Sequence, residues 1–304
     1  MKQALPKELS NLFDFYCEQR NNLPEEYGYG EAIAKKPRFF SVKDLQQYLN
    51  NPLLHPDWVH MVTAGQVIAL DRACLYKTVQ TKKLQFMDKR LINDELSKGG
   101  ALVLEGLDIM NPSINAFLSR VDESLPCALV NCVAFFSQKQ NEAYQGHCDS
   151  DDVLVFQLQG EKTWQLFQPQ QRRYFNNADQ SDSQLGPVKH EFTLRPGDAL
   201  YVRAGVPHRC LTPGDYSLHL SFDLGDRTVN VEQITSEAVY QYNNASALPY
   251  EPASKVVDQY VKILKSTEFQ AALAAETQLK RKEAIIFRDR IAHSATVSQL
   301  SKFK

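Results

Sequence analysis

A histidine and an aspartate two residues apart, His147 and Asp149, followed 61 residues later by His208, are side chains able to hold a divalent metal ion. In an extended segment residues i and i+2 leave the same face, so an imidazole and a carboxylate at that spacing can meet one ion. His208 lies in Arg195–Cys210, RPGDALYVRAGVPHRC. There a Pro-Gly-Asp turn, an apolar run and a second turn through Gly205 and Pro207 present it at a strand end, a rim position where sites are commonly built. Two imidazoles and one carboxylate on a β-barrel's inner wall would make the facial triad of non-haem iron(II), which keeps open coordination positions. H-x-D is a short motif, and on these residues alone two unrelated surface histidines explain the sequence equally well.

The elements needed to bring these residues together are strands. From Cys127 to about Leu224 short apolar runs alternate with turns, and the pattern predicts strands at about 128–137, 152–159, 163–168, 190–195, 198–203 and 216–224. Pro196-Gly197-Asp198 and Pro213-Gly214-Asp215 read as tight turns. Many short strands at such intervals make a sandwich, jelly roll or barrel. Upstream, VKDLQQYL (42–49) and INAFLSRV (114–121) carry helical spacing, with Ser41 as the N-cap of the first. Downstream of Gly225, KVVDQYVKIL (255–264) and the stretch 269–291 are helical, with Val256, Val257, Tyr260, Val261 and Leu264 on one side.

The rest of the composition mainly excludes. At 304 residues, 43% apolar and 23% charged, the chain is neither disordered nor low-complexity. Six cysteines form no C-x-x-C pair, so reduced thiols and a cytoplasmic location are expected. No apolar run is long enough for a membrane span, and the opening MKQALPKELSNLFDFY does not read as a signal peptide. Net charge is −2, divided into +5 for residues 254–304 and −7 for the remainder. That total calls for no obligatory nucleic acid or membrane, and an acidic body suits a basic ligand. The Lys280-Arg281-Lys282 cluster reads as a solvated helix face.

With these residues in place, the stretch Gly146–Phe167 (GHCDSDDVLVFQLQGEKTWQLF), the late GDALYVRAGVPH and SLHLSFDL resemble the Jumonji C (JmjC) oxygenases. The segment KGGALVLEGLDIMNPSINAFLSRVDESL narrows the resemblance to the cupin-like branch containing the ribosomal oxygenases. It spans about Phe39 to Gly225. It implies a mainly β chain with helical additions: a double-stranded β-helix (jelly roll) core at 101–225, an N-terminal segment 1–100 completing the barrel, and a C-terminal helical region 226–304. About eighty residues follow the barrel, room for that branch's helical dimerisation region, and hence a homodimer, but not for a full winged helix.

The resemblance also implies roles. His147, Asp149 and His208 become ligands of Fe(II), and Lys162, two residues before Trp164, becomes the cation that binds the far carboxylate of 2-oxoglutarate. Asn131 and Ser137, on one alternation face of the preceding strand, become further cosubstrate contacts. His219 is either a pocket residue or a hydrogen-bonded core histidine, and Trp164 is core packing. His55, His60, His190 and His293 are expected to be structural or exposed. Asp151 is expected to be solvated, whereas Asp152 either orients His147 or lies in a turn. The implied reaction consumes O₂ and 2-oxoglutarate, releases succinate and CO₂, and hydroxylates a side chain of a protein or peptide, with Arg or His of a ribosomal protein as the branch's typical target. The competing reading is a non-oxygenase cupin that holds zinc or nickel with a binding or isomerase role. Lys162 separates the two, because a metal-only cupin has no need of a buried cation.

Overall fold

A computed structural model describes residues 5–22, 24–63, 66–68, 74–124, 129–138, 144–149, 151–168, 185–225, 238–239, 241 and 253–275. Thirteen strands occur among them: β1 Tyr27–Gly30, β2 Val59–Thr63, β3 Gln66–Val67, β4 Cys74–Val79, β5 Lys82–Met87, β6 Ala101–Leu104, β7 Leu129–Gln138, β8 Asp152–Gly160, β9 Lys162–Phe167, β10 Val188–Leu194, β11 Ala199–Val202, β12 His208–Leu211 and β13 Tyr216–Gly225. Eight build one sheet in the order β1-β11-β8-β13-β7-β6-β2-β3, and three a second in the order β10-β9-β12. The β4–β5 hairpin pairs only with itself among the described residues.

Contacts divide the chain into two compact units, 1–121 with 130–225, and 122–129 with 226–304. The first holds both large sheets. Val153, Val155, Leu200 and Val202 of the large sheet meet Trp164, Leu166 and Leu194 of the small one in a buried apolar core. Burying each such side chain contributes roughly 1.5–3 kcal/mol. Strands of the first hundred residues belong to the same sheet as the later ones: β1 pairs with β11 at one edge, and β2 pairs with β6 further along. In the second unit, helix Ala253–Leu264 turns Tyr260, Ile263 and Leu264 onto Phe269 and Leu273, while Val257 and Val261 are exposed.

The six strands expected from alternation are present to within two residues at each end. Helix Val42–Asn50 starts where its cap predicts, the Ser41 hydroxyl accepting from the Asp44 amide. The 112–124 helix is longer at both ends than its apolar pattern, and only residues 269–275 of the expected 269–291 stretch are described. Missed from sequence were β1–β5 and the four-residue β12, whose short or two-sided polar runs carry no clean alternation. No helix among the described residues is long and apolar enough to cross a membrane.

Candidate metal centre and cavity

Between the two sheets lies a cavity of about 360 Å³ whose lining includes His147, Asp149, Lys162, Trp164, His208 and His219. His147 and Asp149 lie just before a strand rather than in one. β8 begins at Asp152, and the two residues sit on the approach to it, held by a bridge in which the His147 amide donates to the His208 carbonyl (3.0 Å) and the His208 amide to the His147 carbonyl (2.9 Å). Backbone pairing therefore sets the two histidines side by side, with ring centroids 4.5 Å apart. Asp149 faces both: Oδ1 is 3.6 Å from His147 Nε2, and Oδ2 is 3.4 Å from His208 Nε2. One donor atom from each of the three lies within 4.8 Å of the others.

The far nitrogens fix the tautomers. His147 Nδ1 is 2.8 Å from the Gln145 carbonyl and His208 Nδ1 is 3.0 Å from the Val206 carbonyl. A carbonyl accepts only, so each Nδ1 carries the proton and each Nε2 lone pair points at the shared space. Burial pushes the His208 pKa below the usual histidine range, with His147 adding to the effect and Asp149 opposing it, so a neutral imidazole is favoured. Trp164 stacks on the His208 ring at 5.2 Å and holds its plane.

At the inner end of the cavity Lys162 is only 1% exposed. Its Nζ donates to Ser137 Oγ and Thr212 Oγ1, each at 3.0 Å, and the two hydroxyls are 2.8 Å apart. Ser137 thus lines the cavity beside Lys162. Asn131 does not line the cavity: it is exposed, at the outer end of the same face, and hydrogen-bonds Asp223. His219 is buried, stacks on Phe135 at 5.1 Å, and its Nδ1 has no hydrogen-bond partner. That excludes the hydrogen-bonded core histidine for this nitrogen. A β-bulge between Leu218 and His219, where β13 skips Leu158 of β8, sets the alternation that turns His219, Ser221 and Asp223 inward.

Sequence reasoning missed Thr212, Glu105 and Asp223. Thr212 was legible, since 208, 210 and 212 share one strand face. Glu105 and Asp223 line the outer end with Asp149. The Asp223 carboxyl is pushed up to about 6, first by burial and then by Asp149. Asp152 neither orients His147 nor is solvated. It is a buried acceptor for Tyr201 Oη, Arg203 Nε and the Ala204 amide, with Arg20 3.8 Å away. His60 pairs with Glu105 at 3.1 Å, His55 with Asp57, and His190 with Glu26. His293 and the Lys280-Arg281-Lys282 cluster lie outside the described residues.

The family model of the JmjC domain matches residues 108–232, the stretch that supplies all three candidate ligands and Lys162. Residues 108–232 are a JmjC domain. Around this JmjC domain, the chain is 29% identical over 168 residues to ribosomal oxygenase 2 of Bos taurus, covering 53% of this chain and 35% of that protein. It is 32% identical over 221 residues to the bifunctional lysine-specific demethylase and histidyl-hydroxylase NO66 of Dictyostelium discoideum, covering 71% of this chain and 40% of that one. The chain therefore spans well under two thirds of these relatives. Escherichia coli ycfD shares the fold, with a TM-score of 0.55 at 15% identity over 88% of this chain and 71% of its own. The JmjC assignment and the jelly-roll core thus agree. A structure of the same E. coli protein in complex with cobalt and 2-oxoglutarate aligns with a TM-score of 0.52 at 14% identity, over 83% of this chain and 66% of that one.

Proposed function

We propose that this chain is an Fe(II)- and 2-oxoglutarate-dependent oxygenase that hydroxylates a basic side chain, Arg or His, of a protein or peptide such as a ribosomal protein. The observation that carries the reading is a buried ammonium, Lys162, in the same cavity as a two-histidine, one-carboxylate donor set.

The residues fit the groups. Cis donors around a first-row ion bound at ~2.1 Å lie about 3 Å apart, close to the 3.4 and 3.6 Å seen here. Their Nε2 atoms are prepared for a metal by the Nδ1 bonds to carbonyls. Lys162, Ser137 and Thr212 offer an ammonium and two hydroxyls to the far carboxylate of a dicarboxylic acid, and His219 Nδ1 is a further unmet polar atom on that wall. When bound, Fe(II) and 2-oxoglutarate would supply the electrons that reduce and so activate O₂, the cosubstrate being oxidised to succinate and CO₂. His147, Asp149 and His208 would hold the ion, their donor atoms lying within 4.8 Å of one another. Trp164, Phe135 and Val133 give the cavity apolar walls. Asp223 and Glu105, at its outer end, place negative charge where a guanidinium or imidazolium would enter.

Anaerobic Fe(II) followed by 2-oxoglutarate should give the visible charge-transfer band of the chelate, and aerobic turnover should give 2-oxoglutarate-dependent succinate. Lys162→Met should weaken 2-oxoglutarate about 10- to 100-fold, the range for losing a charge-assisted bond, while leaving the Fe(II) affinity unchanged. Absence of both band and succinate would favour the zinc- or nickel-holding cupin. Mass spectrometry of host proteins for oxygen addition, with and without the protein, reads the substrate.

A further inference from the structure

The β4–β5 hairpin has no role in the cavity, yet its surface is unusual for a solvated ribbon. Neither edge pairs with another strand among the described residues. Register places Leu75 opposite Phe86, Lys77 opposite Leu84, and Val79 opposite Lys82, so these six residues share one face. Along β4 that face alternates apolar and ammonium groups, a partial checkerboard that ends where Leu75 faces Phe86. Leu75 is 48% and Leu84 39% exposed. Lys83 adds a third cation from the opposite face, and residues 74–87 hold no acid, although residues 1–253 carry −7. Beside the ribbon, a groove of about 490 Å³ is lined by Leu84, Phe86, Tyr76 and Lys83 on one side and by Leu53 and Leu54 on the other, with Leu53 86% exposed at its rim.

We propose that the β4–β5 ribbon and its groove are a docking surface for an acidic segment of a partner protein that alternates carboxylates with large apolar side chains. Such a segment adds to a free strand edge through its main chain and matches the checkerboard through its side chains. A second copy of this ribbon is disfavoured, because its three lysines would meet three others. Nucleic acid is a poorer match: three of the four exposed apolar residues, Leu75, Val79 and Leu84, are aliphatic and offer no stacking face, and the one exposed ring, Tyr76, already has Lys83 Nζ 4.3 Å from its centroid.

The test is selection on the full chain from a phage-displayed random 12-residue peptide library. Peptides alternating Asp or Glu with Leu, Ile or Phe should emerge. A labelled consensus peptide should lose at least tenfold in affinity with the double variant Lys77→Glu, Lys82→Glu and with Leu75→Ser, and weaken as salt rises. Lys82→Ser with Lys83→Ser serves if charge reversal disturbs folding, judged by circular dichroism. No acidic-apolar consensus, a consensus indifferent to these variants, or tighter ribbon-dependent binding of a 20-mer oligouridine would overturn the proposal. The readout is independent of oxygenase activity.

Discussion

At the scale of single residues, the cavity separates histidines by what their rings meet. His208 is neutral because it is buried, with His147 adding to the effect, and is oriented because Nδ1 donates to a carbonyl. His219 is held well below the ordinary histidine pKa by burial first and Lys162 second. The folded state therefore refuses a proton that the unfolded chain accepts near pH 6.5, so stability falls as pH drops through that value. The effect is at most about 1.4 kcal/mol per pH unit for each such group. Two groups oppose it. Asp223, held at about 6, takes its proton in the folded state before the unfolded state does, and His60, raised by its bond to Glu105, is stabilised when charged. In the metal-free protein, His219→Gln should flatten the decline in melting temperature between pH 6.5 and 5. An unchanged slope would mean that His219 titrates normally.

Elements are held in register by buried polar clamps rather than by the site. Asp152, at the first residue of β8, takes hydrogen bonds from β11 through Tyr201 and from the Arg203-Ala204 turn that leads to His208. Asp152→Ala would remove the acceptor of Tyr201 Oη, Arg203 Nε and the Ala204 amide; because the arginines stay partly solvated, the expected cost is about 1–3 kcal/mol. Chemical denaturation measures that loss, and a change under 1 kcal/mol would show the clamp to be idle. The turn before β11 is likewise built. Gly197 has φ +101°, and a Cβ there would fall 1.8 Å from the Ala34 carbonyl oxygen. Asp198 then accepts from the Arg195 amide and from the Ala32 amide, tying that turn to the N-terminal segment.

For the whole molecule, the arrangement matters as a preformed site that ligands should stabilise. Cobalt(II), redox-stable in air, should raise the unfolding free energy by about 2.7 kcal/mol at one hundred times its Kd. Differential scanning calorimetry should show the rise in the intact protein and lose it in His208→Ala, and an equal rise in both would place the metal elsewhere. The charge division has a similar global meaning: a total of −2 conceals both the carboxylates at the cavity's outer end and the lysine ribbon.

Much of this was written locally. Strand alternation, the Pro-Gly-Asp turns and the Ser41 cap depend on neighbours within a few residues, so the jelly-roll strands and one face each for His208 and Ser137 could be read from the chain. Asn131 was placed too deep because alternation gives a face but not a depth. The contacts between His147 and His208, the hydroxyl cradle of Lys162, the unmet Nδ1 of His219 and the clamp at Asp152 depend on residues far apart in the chain, Ser137 and Thr212 by 75 positions and Arg20 and Asp152 by 132. Those depend on strand order and on one bulge between β8 and β13, which long-range pairing decides and no local stretch of sequence encodes.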